Sequence, residues 1–118
     1  MSGRLGSDFP PEGVEWWIRM MGQTPVSTQI GFAPAIAKID SSADLARIRC
    51  PSLVIVTEGA SPEALNETRQ WQEQIAGSRL LVFKGDSFHA AASHADDCAD
   101  AVLDFIAKPA QQDVKTYA

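Results

Sequence analysis

At 118 residues, with 45% hydrophobic and 8% aromatic content, the chain has the size and composition of one small globular domain, with room for a single core. Ten Lys and Arg against fifteen Asp and Glu leave a formal charge of -5, and the cations are scattered, which excludes a broad attraction to nucleic acid or to an anionic membrane surface. No apolar run approaches the roughly 18 residues of a membrane span, and the first twenty residues lack the basic, apolar and small-residue order of a signal peptide, so a cytoplasmic location is expected.

Residues 1–11 are rich in chain breakers and poor in apolar side chains, and are expected to form a mobile lead-in. From Glu12 the pattern turns helical: Val14, Trp17, Ile18 and Met21 fall at i, i+3, i+4 and i+7, and Gly22 ends the stripe. A second helix is predicted from about Ser27 to Ile39, carrying Ile30, Ala33 and Ala37 at helical spacing, with Pro34 as a kink or an early stop. The character changes at Asp44. Leu45 and Ile48 make a short apolar turn, Cys50-Pro51 punctuates it, and Ser52 to Val56 is a continuous Leu and β-branched run of the kind that forms a strand buried on both faces.

Ser61 is placed to cap the next helix, with Pro62 at its first position, Leu65, Thr68, Trp71 and Ile75 on its inner face and Gly77 where a C-terminal cap belongs. Leu80 to Phe83 is a second buried strand. Ser93 with Asp96 makes a capping-box-like start to the last helix, on which Ala95, Cys98, Val102, Phe105 and Ile106 form the apolar face, and Pro109 stops it before a polar tail. The fold class is therefore α/β, ending in a β-α-β-α segment. A right-handed crossover makes the strands parallel and brings the loops at Glu58 to Ala60 and Gly85 to His89 to the same carboxyl edge, where open α/β sheets bind ligands. Two parallel strands alone leave edges unpaired and faces uncovered, so the sheet is expected to be completed by an upstream segment or by a second copy of the chain.

These residues resemble a known family. Ile48 to Val56, the helix ending at Ala76-Gly77, Ser78 to Phe83, Gly85-Asp86-Ser87-Phe88-His89 and the closing helix to Ile106 look like the carboxyl-terminal part of an α/β-hydrolase. The resemblance implies a partial α/β-hydrolase fold: a helical cap-like segment over 1–43, a C-terminal core segment over 44–109 and a polar tail over 110–118. It also implies a Ser, acid, His triad in that chain order, with His89 in the place of the general base. The nucleophile elbow G-x-S-x-G is nowhere in the chain, so the chain alone is expected to be inactive by that mechanism.

At the place of the acid the sequence has Ala60, and Glu58 is the nearest carboxylate, with a helix-capping or solvated role as its other reading. Asp86 reads as a residue that turns or caps the backbone, and Ser61 and Ser87 lack the strained strand-to-helix turn of a nucleophile. His94 falls in the first turn of the last helix and reads as surface. Trp16 and Trp17, with Phe88, are candidates to line an apolar substrate pocket; plain helix packing is the alternative for the tryptophans. Cys50 and Cys98 show no C-x-x-C or zinc spacing and read as small buried residues, and neither a metal nor a cofactor is expected. The expected partners are an upstream hydrolase half or a second copy, with a small-molecule substrate. The other expectation is a non-catalytic, truncated hydrolase module that self-associates through its open sheet edge.

Overall fold

The structure, a computed structural model, describes residues 2–59 and 61–108. Along the chain lie α1 (Ser2–Leu5), α2 (Pro11–Met21), α3 (Val26–Ile36), a 3₁₀ turn (Ser42–Arg47), β1 (Leu53–Thr57), α4 (Pro62–Gln72), β2 (Arg79–Phe83), α5 (Ala90–Ser93) and α6 (Ala95–Ala107). The expectations for Ala60, for Pro109 as a stop and for the tail lie outside the described residues.

β1 and β2 pair in parallel, in a register that sets Leu53 against Arg79 and Thr57 against Phe83. The apolar run makes a strand here because both faces are used. Leu53, Ile55, Leu81 and Phe83 alternate onto one face and meet Ala90, Cys98 and Ala101. The opposite face presents Val54, Val56, Leu80 and Val82, all half-buried, and α4 packs on β2. Helix α4 starts as its sequence dictates: the Ser61 hydroxyl accepts the Ala64 N–H at 3.3 Å and Pro62 occupies the first turn. Leu65, Thr68 and Trp71 are half-buried and Ile75, just past the helix, is buried. Gly77, at φ +71°, turns the chain into β2.

Several expectations are corrected. The lead-in is docked: Leu5 is the most buried apolar side chain, 1% exposed, and the Arg4 carbonyl and Ser7 are hydrogen-bonded to the loop after β2. Cys50 is exposed, because it lies in the irregular step into β1, while Cys98 is buried under the sheet. Burial pushes the Cys98 thiol pKa up, with the neighbouring Asp97 carboxylate adding to it. On α6 the packed face is Cys98, Ala101 and Phe105, whereas Val102 and Ile106 are exposed. Ser93 does not cap that helix; it closes α5, and His94 stands at the start of α6 without a side-chain capping bond.

Helix α3 ends two residues after Pro34, which has no N–H to give to the preceding turn. It buries no residue, and Val26, Ile30, Phe32 and Ile36 remain 68%, 67%, 63% and 49% exposed. Among the described residues, no helix is long and apolar enough to cross a membrane.

Candidate functional site

Both strands end at one edge, and the pairing continues beyond them. Glu58 N–H donates to the Phe83 carbonyl at 2.8 Å and Gly59 N–H to the Gly85 carbonyl at 3.1 Å. Gly59 and Gly85, at φ +77° and +112°, then turn the two chains away, a conformation that disfavours any side chain. The buried Thr57 hydroxyl donates to the Ser87 carbonyl, fastening the end of β1 to the loop that follows β2. That loop delivers His89.

His89 is held mainly through its backbone. Its N–H lies 3.1 Å from both the Arg4 carbonyl and the Ser87 hydroxyl oxygen, and the Phe88 N–H donates to the same Arg4 carbonyl at 3.0 Å. The half-buried imidazole sits between rings: Trp17 at 5.3 Å between centroids, tilted by 36°, and Phe88 at 5.2 Å, edge on. Trp16 continues the row, edge to face with Trp17 at 6.4 Å. The structure therefore brings together His89, Trp17, Phe88 and Trp16. Phe88 and Trp16 are 76% and 56% exposed, so this is an open row of rings and not an enclosed pocket. The Trp17 indole nitrogen is buried and has no acceptor among the described residues.

Glu58 is not brought to the ring. One carboxylate oxygen accepts the Gly85 N–H at 3.4 Å, which ties Glu58 to the turn beside the loop. Ser87, 3% exposed, spends its hydroxyl on the Arg4 carbonyl at 3.3 Å and on the His89 N–H. Among the described residues, neither a carboxylate nor a hydroxyl is hydrogen-bonded to the His89 imidazole, and no group of three His, Cys, Asp or Glu is disposed to hold a metal ion. What remains is a half-buried imidazole at a carboxyl sheet edge, set among aromatic rings.

His94 is the histidine that the sequence misplaces. It is half-buried and stacks on Phe83 at 5.0 Å with the rings 8° from parallel, and its Nδ1 lies 2.8 Å from the Ser93 hydroxyl. With Ser93, Asp86, Asp8 and Phe9 it lines a cavity of about 160 Å³ between the amino-terminal segment and the loop after β2. The signal for this placement is Ala90-Ala91-Ala92, a short helix former that lays the chain back against β1 before α6 begins. The Arg4 carbonyl, by contrast, carries no side-chain signal, because its role belongs to the backbone.

Asp86 spends its carboxylate on the amino-terminal segment rather than on a turn or cap of its own loop. Its carboxylate accepts the Ser7 N–H at 2.9 Å and the Ser7 hydroxyl at 3.3 Å. The Ser7 N–H holds the Asp86 carboxyl below the usual carboxylate range.

These elements define a protein of mixed helix and strand, in the general α/β class, organised on a two-stranded parallel sheet with its candidate site at the carboxyl edge. Comparison of the chain with protein-family models, with curated proteins and with solved structures finds no match.

Proposed function

We propose that this chain is the carboxyl-terminal part of an α/β-hydrolase, in which His89 is the general base and an upstream half supplies the serine nucleophile. The observation that carries the reading is the position of His89 on the loop after the second parallel strand, at the carboxyl edge, with its imidazole free of hydrogen bonds to other described side chains. Among the described residues, both outer edges of the β1-β2 pair lack a strand, which is what a sheet completed elsewhere presents.

In the completed site the imidazole takes the proton of the serine hydroxyl as its oxygen attacks the ester carbonyl. It returns that proton to the departing alkoxide, and then activates the water that releases the acid. Glu58, with one carboxylate oxygen on the Gly85 N–H, is one candidate to orient the ring, and an acid carried by an earlier strand is the other. Trp17 and Phe88, with Trp16 beyond them, give the substrate an apolar, aromatic neighbour.

A fluorophosphonate serine probe tests this. The chain alone is expected to remain unlabelled, and the chain joined to an upstream half bearing G-x-S-x-G to label. His89→Ala in the joined protein is expected to slow labelling by about a hundredfold or more, the scale of a lost general base. Labelling at an unchanged rate overturns the assignment.

A second reading is favoured by α3. Its exposed Val26, Ile30, Phe32 and Ile36, together with the open sheet, suit a non-catalytic module that covers itself with a second copy. Val26 to Ala37 contains no charged residue, so two copies meeting there bring no like charges into direct contact on that segment. Light scattering at micromolar concentration is expected to give a dimer that Phe32→Glu returns to monomer; a folded wild-type monomer removes this reading.

A further inference from the structure

The amino-terminal segment makes contacts that neither the sheet nor α2 requires. The Arg4 carbonyl accepts from Phe88 N–H at 3.0 Å, from His89 N–H at 3.1 Å and from the Ser87 hydroxyl at 3.3 Å, across a separation of more than eighty residues. Beside it Leu5 is driven to 1% exposure, and Ser7 closes the far side through two bonds to Asp86. Each of these bonds ends on the loop that carries His89.

Gly6 is what permits the approach. At φ +92° it adopts a backbone conformation that L side chains rarely enter. A Cβ built there stands 3.0 Å from the Asp86 carboxylate and 3.2 Å from the Ser87 Cβ. The segment also sets the ring beside His89. Phe9 lies so close over Gly13 in the first turn of α2 that a Cβ on Gly13 would come within 2.5 Å of it, and one helical turn further on α2 presents Trp17 to the imidazole.

We infer that residues Arg4 to Phe9 form a strap that positions His89, with the Arg4 carbonyl fixing its backbone and the Phe9–Gly13 contact fixing the indole against its ring. The catalytic meaning of the strap rests on the proposed role of His89; its physical existence does not. Without the strap, the Phe88 and His89 N–H groups lose the acceptor that fixes the loop, and the imidazole loses its orientation relative to Trp17.

The β2 amides provide the internal reference, because His94, although stacked on β2, also lines the cavity that the amino-terminal segment closes. In Gly6→Ala, amide exchange at Phe88 and His89 is expected to accelerate by about tenfold or more, as local opening becomes easier. The His89 ring-proton shifts are expected to move towards those seen in Trp17→Leu, while the exchange of the β2 amides stays in place. Unchanged exchange at Phe88 and His89, with the Ser7 amide released, overturns the inference. Asp86→Ala removes the acceptor of both Ser7 bonds from an exposed position, and provides the same readout should Gly6→Ala fail to fold. In the joined protein the strap variants are expected to slow serine labelling while leaving the apparent affinity for the probe unchanged. Release of His89 by nuclear magnetic resonance with no change in labelling rate sinks the general-base assignment and leaves the strap standing.

Discussion

Two apolar runs in this chain meet opposite fates. Leu53 to Thr57 is paired by β2 and roofed by α5 and α6, so that Thr57 ends buried, whereas Val26 to Ile36 forms a helix with no buried residue. The difference is one of periodicity. A two-faced strand finds covers from elements close in sequence, since a parallel partner arrives after one crossover. A helix whose apolar residues are spread around its axis, as Val26, Ile30, Phe32 and Ile36 are on α3, has no single side to offer a neighbour. The strand-bearing half therefore supplies the stability of this chain and the helical half its unspent surface.

The largest test of that contrast is a pair of truncations. Leu81→Ala, in the centre of the sheet and 5% exposed, is expected to cost about 2–5 kcal/mol, enough to unfold a chain with so small a core. Phe32→Ala, 63% exposed on α3, is expected to stay within about 0.5 kcal/mol for the chain as a monomer. Urea titrations followed by circular dichroism measure both. A comparable cost at Phe32 means that α3 is covered in solution, and the light-scattering measurement then says by what.

A smaller effect separates local signals from tertiary ones within the strand-bearing half. Ser61→Ala removes the acceptor of the Ala64 N–H and is expected to cost about 1 kcal/mol. The contribution is local to α4, so it is expected to persist whether or not the sheet is completed by a partner. A cost that vanishes in the joined protein breaks the link between this cap and the fold.

Such local signals explain what was legible in the sequence. The apolar runs at 53–57 and 79–83, the Ser61-Pro62 start and the Gly77 turn each encode their outcome within a few residues, and the parallel pairing follows from the intervening helix. His89 at the carboxyl edge was legible for the same reason. The docking of residues 4–9 was not, because its main acceptor is a backbone carbonyl and its partners lie about eighty residues away. The stacking of His94 was hidden too: Ser93 and Asp96 have the spacing of a capping box, and only the packing of α5 on β1 shows that Ser93 belongs to the preceding helix. The exposure of Cys50 is hidden as well, since a cysteine beside a proline carries no periodicity from which burial can be read.

The smallest effect concerns the strap, where the amino-terminal segment is tied to the strand-bearing half through the Asp86 carboxylate. The Ser7 N–H, hydrogen-bonded to the Asp86 carboxylate, holds that carboxyl below its ordinary value of 3.8. A group whose folded value is depressed contributes stability above its unfolded value and loses it as the pH falls through the folded one. The Ser7–Asp86 link is thus intact at neutral pH and is expected to weaken only at acidities beyond the usual carboxylate range. Asp86 is exposed, so the change is modest and is further reduced by salt. The Ser7 amide proton shift, followed against pH, is expected to titrate with a midpoint under 3.8, and this step is expected to disappear in Asp86→Asn, where the side chain keeps an acceptor but no longer titrates. The Leu81 amide, inside the sheet, provides the reference that does not move over the same range. A Ser7 midpoint at or above the ordinary value means that the carboxylate is not engaged by that N–H, and the far end of the strap is then held by Leu5 and the Arg4 carbonyl alone.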